Sequence, residues 1–272
     1  MGMLYAQEMM TSEGFIAVVT GASSGIGAAT ARALAADGWR VVVVARRASR
    51  LAELADEISA SGGEAMAEPL DAADGGAVLA MAGRVRAAWG APTLVVNSAG
   101  AGVWRFLEET SPEQIVEMMG APYLAAANTS RAFIASMLAA GRGHLVHIGS
   151  PASVMPWPGA TAYTASRWAL RGLHEALHMD LVGTGVHTSM VYLGEVSSEY
   201  FEANPDSHQH IPTIGSWIPV STPERCAEVI LGVVRRPRRV VFYPFALRLM
   251  AWMAAISPGP TRRLIARTGR RH

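Results

Sequence analysis

The chain has 272 residues, half of them apolar and 17% charged, with a formal net charge of +1. That length supports one α/β domain with a sizeable core, and the composition excludes a mainly disordered chain. The near-neutral balance gives no general reason to expect nucleic-acid binding.

The basic residues are unusual, because all 23 are arginine. Ten of them lie between Val229 and His272, a stretch without Asp or Glu. The single cysteine, Cys226, has no partner for an internal disulfide and no metal-ligand spacing, which fits a reducing, cytoplasmic setting. The first 13 residues are Met-rich, read as a loose leader, and lack a signal-peptide layout. No apolar run is long enough to span a bilayer.

Phe15 to Thr20 reads as a buried parallel strand. It runs into G-A-S-S-G-I-G, containing Gly21, Ser23, Ser24, Gly25, Ile26 and Gly27, and then into an Ala-rich helical run ending at Asp37-Gly38. Strand, glycine turn and helix together make a pyrophosphate cradle, because glycines admit the phosphates to the backbone and the helix start offers unpaired N–H groups. Val41 to Ala45 is the second strand, followed by Arg46 and Arg47. An acid at this point suits the free 2′-hydroxyl of NAD, whereas arginine suits the 2′-phosphate of NADP, so Arg46, and Arg47 after it, favour NADP.

The alternation continues with helix at Ala48–Ala60, strand at Ala65–Leu70, helix at Ala73–Trp89 and strand at Thr93–Val96, which ends in Asn97-Ser98-Ala99-Gly100. A helical stretch runs from Ser111-Pro112 to Leu138, with a kink expected at Pro122. Gly143 to Ile148 is a strand, Thr161 to Val182 a helix and Gly185 to Tyr192 a strand. This pattern implies a single-domain Rossmann fold, a doubly wound, mostly parallel sheet with helices on both faces and a ligand at the strand carboxyl ends. Gly21, Arg46, Asn97, Ser150 and Gly194 all follow strands and should meet at that edge.

Ser150 closes a strand, and Tyr163 stands four residues before Arg167 at the start of a helix. Residues at i and i+4 share a helix face, so a phenol, a permanent cation and a hydroxyl can form a proton-transfer site. Ser153 is a competing hydroxyl, too close to Tyr163 in sequence for the pattern given below. His174 and His178 are also spaced i,i+4, but no third metal ligand accompanies them. Val196 to Thr222 is irregular and reads as a lid, with Tyr200, Phe201 and Trp217 over an apolar ligand and Trp104, Met155 and Trp157 on the opposite wall. Val240 to Tyr243 reads as a last strand and Phe245 to Ile256 as an apolar helix, followed by an Arg-rich tail after Pro258-Gly259-Pro260. The catalytic domain is thus expected over residues 14–244, with residues 245–272 as an appended helix and tail. An apolar helix beside arginines suits an anionic membrane surface or closure over a greasy substrate, although packing against the domain or a neighbouring subunit is the plainer expectation.

From about Phe15 to Ser198 these residues resemble the short-chain dehydrogenase/reductase family. Thr20 to Gly27 resembles its T-G-x3-G-x-G cofactor turn, Asp71 its adenine-contacting acid, and N-S-A-G from Asn97 its N-N-A-G segment, which includes Ala99 and Gly100. Ser150 and Tyr163 match its catalytic serine and tyrosine. L-G-E-V-S-S, with Gly194, Val196 and Ser198, resembles the P-G-x-V-x-T segment beside the nicotinamide. Two positions depart from the pattern: the lysine of Y-x3-K is Arg167, and the helix asparagine falls on Pro122, with Asn128 a poorer match. The resemblance implies an NADP(H)-dependent oxidoreductase that interconverts carbonyl and alcohol on a medium-sized apolar substrate, working as a homodimer or homotetramer. The tyrosine would move the proton, the serine would orient the oxygen and Arg167 would hold the ribose. The two departures motivate alternatives, an NADP-binding sensor or auxiliary protein without turnover, or a non-redox cyclase or dehydratase.

Overall fold

The computed structural model describes residues 15–100, 102–198 and 218–269. Seven strands form one sheet: β1 (Ile16–Thr20), β2 (Arg40–Ala45), β3 (Glu64–Pro69), β4 (Leu94–Asn97), β5 (Gly143–Gly149), β6 (Val186–Leu193) and β7 (Val240–Tyr243). Their order is β3-β2-β1-β4-β5-β6-β7 and all neighbouring pairs are parallel. The order reverses between β1 and β4, which opens a crevice at the carboxyl ends of the strands.

The central strands are nearly all apolar because both of their faces are covered. Ala17, Val19, Val41, Val43 and Val96 point to one side, where they meet α1 (Gly25–Ala36), α2 (Ala48–Ala60) and α7 (Pro223–Arg235). Ile16, Val18, Val42, Val44 and Val95 point to the other, against α3 (Gly75–Ala88) and α5 (Ala125–Ala140). α6 (Thr161–Asp180) covers β6 on this second side, where Tyr163 and Leu170 join Met190 and Tyr192.

The kink expected at Pro122 takes a specific form. α4 (Pro112–Met119) is followed by one π turn, Gly120–Leu124, before α5 begins. A proline in an α-helix lacks an N–H and its ring collides with the carbonyl four residues back, and widening the turn by one residue relieves both problems. The start of α4 is fixed locally by a capping box, in which the Gln114 N–H donates to Ser111 Oγ and the Ser111 N–H to Gln114 Oε1.

Two helices lie beyond the sequence expectations. α7 begins at a Thr222 cap with Pro223 in its first turn, and it buries Cys226, Ile230 and Val233. α9 (Pro258–Thr268) occupies what reads as an Arg-rich tail, because Pro258 and Pro260 fall in a first turn that needs no N–H donors. α8 (Phe245–Ile256) follows β7 as expected.

Candidate active site

A cleft of about 830 Å³ opens along the carboxyl ends of the strands, and the glycine turn, Arg46, Asp71, Trp104, Ser150, Tyr163, Arg167 and Gly194 all line it. At its β1 end, Gly21 has φ +68°, and a Cβ there would stand 2.7 Å from the Ser98 carbonyl oxygen. Only glycine lets the turn adopt this conformation against the neighbouring loop. Thr20 ties the two loops together, its Oγ1 accepting from the Ser98 and Ala99 N–H groups, both at 3.1 Å. Sequence reading credits Thr20 only as the first letter of a motif, since its partners lie 78 and 79 residues away.

The two arginines after β2 separate in role. Arg47 turns back on the glycine turn, donating from Nε to Ser23 Oγ at 3.1 Å and from Nη2 to Ser24 Oγ at 2.7 Å. Arg46 is exposed at the cleft edge and has no side-chain hydrogen bond or ion pair to another described residue. Farther along, Asp71 accepts the Ala73 N–H at 2.9 Å. Asn128 donates to the Ala72 and Ala73 carbonyls at 3.2 and 2.8 Å, so it braces the loop after β3 and does not replace the asparagine missing at Pro122.

At the other end, Ser150 and Tyr163 face the cleft and both are largely buried. Ser150 Oγ accepts the Ala152 N–H, and Ser153 Oγ accepts the Ser150 N–H, each at 3.3 Å. Ser153 is fully buried and closes the turn that presents Ser150, and it is not part of the cleft lining. The Tyr163 ring lies 5.5 Å from Trp104 and 5.0 Å from the Arg167 guanidinium carbon, centroid distances that hold the phenol between an aromatic wall and a cation. Trp157 meets Trp104 edge-on at 5.7 Å.

Arg167 is buried. Its Nη1 donates to the Ile148 carbonyl at 3.3 Å, its Nε has no acceptor, and no carboxylate pairs with it among the described residues. The guanidinium lies close over Gly100, where a Cβ would stand 2.9 Å from Arg167 Nη2. A buried cation without a carboxylate calls for an oxygen-rich partner.

Two expected site residues lie outside the lining. Asn97 points under the sheet edge, its Nδ2 donating to Ser130 Oγ and lying against His147 Nδ1, both at 3.2 Å. Met155 is buried behind Trp104 and Trp157 as core, because its turn directs it inward. Gly194, Val196 and Ser198 do line the cleft: Gly194 N–H donates to Tyr243 O at 2.9 Å, Val196 pairs with Ser221, and Ser198 packs on Gly25. Tyr200, Phe201 and Trp217 lie outside the described residues. The wall contributed by α4 and the π turn, including Met118, Gly120 and Leu124, is absent from the sequence reading. The apolar pairs Ile115-Val116 and Met118-Met119 of α4 were its only signal.

His174 is held within the core, its Nδ1 at 3.0 Å from Thr188 Oγ1 and its ring stacked 6.4 Å from His178. Burial pushes His144 and His147 down to about 3 and His174 to about 4.

Residues 15–209 match the short chain dehydrogenase family. An uncharacterized oxidoreductase of Myxococcus xanthus is 32% identical over 90% of this chain and 93% of its own length. A glycine betaine reductase of Emericella nidulans is 31% identical over 84% of this chain, which spans only 18% of that much longer protein. Among solved structures, a metagenomic short-chain oxidoreductase in complex with NADP has a TM-score of 0.71 at 33% identity, covering 85% of this chain and 96% of its own. A short-chain dehydrogenase/reductase from Burkholderia phymatum in complex with NAD has a TM-score of 0.82, covering 93% and 96%, and at 24% identity shares the fold.

Proposed function

The chain belongs to the short-chain dehydrogenase family, and from that premise we propose that it interconverts a carbonyl and an alcohol on a medium-sized, largely apolar substrate with NADP(H). One observation carries the reading: Ser150, Tyr163 and Arg167 share a single cleft with the glycine turn Gly21–Gly27. Gly21, Ser24 and Gly25 would hold the pyrophosphate, and Arg46, with no ion pair among the described residues, the 2′-phosphate. Arg167 would meet the nicotinamide ribose, whose hydroxyls suit a buried cation paired with no carboxylate among the described residues. Bound NADP(H) supplies or accepts the hydride.

The chain's own residues do the rest. Tyr163 gives its phenolic proton to the carbonyl oxygen during reduction and takes it back during oxidation. The guanidinium, 5.0 Å from the ring centroid, and Trp104 hold the phenol in position. Ser150 donates a hydrogen bond to the same oxygen and fixes its position. Trp104 and Trp157 line the substrate side with apolar surface and keep water from the transfer.

The test is consumption of NADPH, with NADH as the comparison, across a panel of apolar aldehydes and ketones. Turnover with NADPH is expected, and Tyr163→Phe should lower kcat by about 10² to 10⁴ while NADPH still binds. Tight NADPH binding with no oxidation across the panel would favour a binding protein instead. Product formed without NADPH consumption would favour a non-redox reaction.

A further inference from the structure

The chain continues past the sheet into two packed helices. α8 turns Leu247 and Met250 into the cluster that also holds Trp104, Trp157 and Tyr163, and α9 adds Ile265. The opposite side of α8 carries Phe245, Leu249, Trp252, Met253 and Ile256, all exposed, with Phe245 at 73%, Trp252 at 62% and Ile256 at 63%. At helical spacing these five fall within about 100° of arc, so they form one apolar stripe on a helix whose other side is already packed. A continuous stripe of large apolar side chains marks an interaction surface rather than the scattered exposure of an ordinary exterior.

The exposed charges of α8 and α9 are all of one sign. Arg248 on α8 and Arg262, Arg263 and Arg267 on α9 are exposed. None of the four pairs with a carboxylate among the described residues, whereas Arg235 pairs with Asp37 and Arg239 with Glu175. No acidic residue occurs after Glu228.

We infer that α8 and α9 form a docking surface for an anionic phospholipid bilayer, with the apolar stripe of α8 below the headgroups and the arginines at the lipid phosphates. Charge selects this partner over a second copy of the chain, because a symmetric dimer through this face would set arginines against arginines. Among the described residues no helix is long and apolar enough to cross a membrane, so the contact lies in the interface plane. Pro244, which caps α8, packs on Gly194 in the cleft lining: a Cβ at Gly194 would be 3.1 Å from Pro244 Cδ. Docking through α8 therefore holds the cleft beside the bilayer, where apolar molecules concentrate.

The test is flotation of the full chain with vesicles of mixed phosphatidylglycerol and phosphatidylcholine at low salt, with phosphatidylcholine vesicles alone as the comparison. The chain should float with the mixed vesicles only and be released by raised salt. Phe245→Glu with Trp252→Glu should abolish binding. Arg262→Gln with Arg263→Gln should weaken it roughly thirtyfold at an unchanged melting temperature. Failure to float with the mixed vesicles, equal binding to phosphatidylcholine alone, or retained binding by the stripe variant would each overturn the inference. So would a chain that ignores vesicles and passes from dimer to monomer on Phe245→Glu with Trp252→Glu, since the stripe would then belong to a second copy.

Discussion

Arg167 is the residue on which the site turns. It stacks on Tyr163, reaches the Ile148 carbonyl and lies over Gly100. A planar, forked cation makes these contacts together, and a lysine ammonium cannot stack in the same way. Arg167→Lys is therefore expected to lower kcat/KM several-fold. A large rise in turnover would show instead that arginine is a poor substitute for lysine at this position. Arg46→Glu places a negative charge where a phosphate is expected and removes charge-assisted hydrogen bonds, so NADPH should bind about 10- to 100-fold more weakly, with NADH little affected. Fluorescence titration of both nucleotides checks it, and an equal loss for both would argue against a 2′-phosphate contact. That Gly21, Ser150, Tyr163 and Arg167 line one cleft was legible because Gly21 and Ser150 each follow a strand of the sheet and Tyr163 and Arg167 share a helix face. Asn97 and Met155, expected at the cleft, lie outside its lining, because the direction of a side chain beside a strand end depends on Ser130, His147 and the tryptophans, which are remote in sequence.

At the level of elements, Pro122 converts one helix into two joined by a π turn, and that turn supplies part of the cleft wall. Pro122→Ala restores an N–H and removes the ring clash, which lets Gly120–Leu124 tighten toward α-helical geometry. The expected outcome is a melting temperature equal to or above that of the parent, with kcat/KM down roughly tenfold as the wall shifts. Parallel thermal melts and steady-state kinetics read this, and unchanged kinetics would show that the turn does not shape the site. The helices Pro223–Arg235 and Pro258–Thr268 show the opposite problem for sequence reading. Prolines that look like breaks sit in first turns, where the missing N–H costs nothing.

For the whole molecule, the buried histidines link the core to pH. His144, His147 and His174 are held neutral by burial at about 3, 3 and 4, below the ordinary value of about 6.5. Between roughly pH 6.5 and 4 the unfolded chain therefore binds more protons than the folded one, and stability falls as pH falls. Each histidine contributes a slope of up to about 1.4 kcal/mol per pH unit in that window and almost none above pH 7. Urea midpoints measured from pH 8 to 4.5 should be flat and then drop steeply. His144→Gln should make the drop shallower, and a parent profile without a drop would show that the histidines are protonated in the folded state.

The amino-acid sequence by itself determined the alternation of strands and helices, the parallel sheet, the glycine turn and the Ser150–Tyr163–Arg167 set. Each rests on periodicity or short spacing, which backbone geometry converts directly into structure. Tertiary structure alone decided that Arg47 braces the turn while Arg46 stays open, that Thr20 joins two loops, and that Asn128 holds the loop after β3. It alone decided that α8 keeps an apolar stripe uncovered. These outcomes depend on contacts between residues far apart in the chain, where packing and the satisfaction of buried polar groups choose among arrangements that local sequence leaves equal.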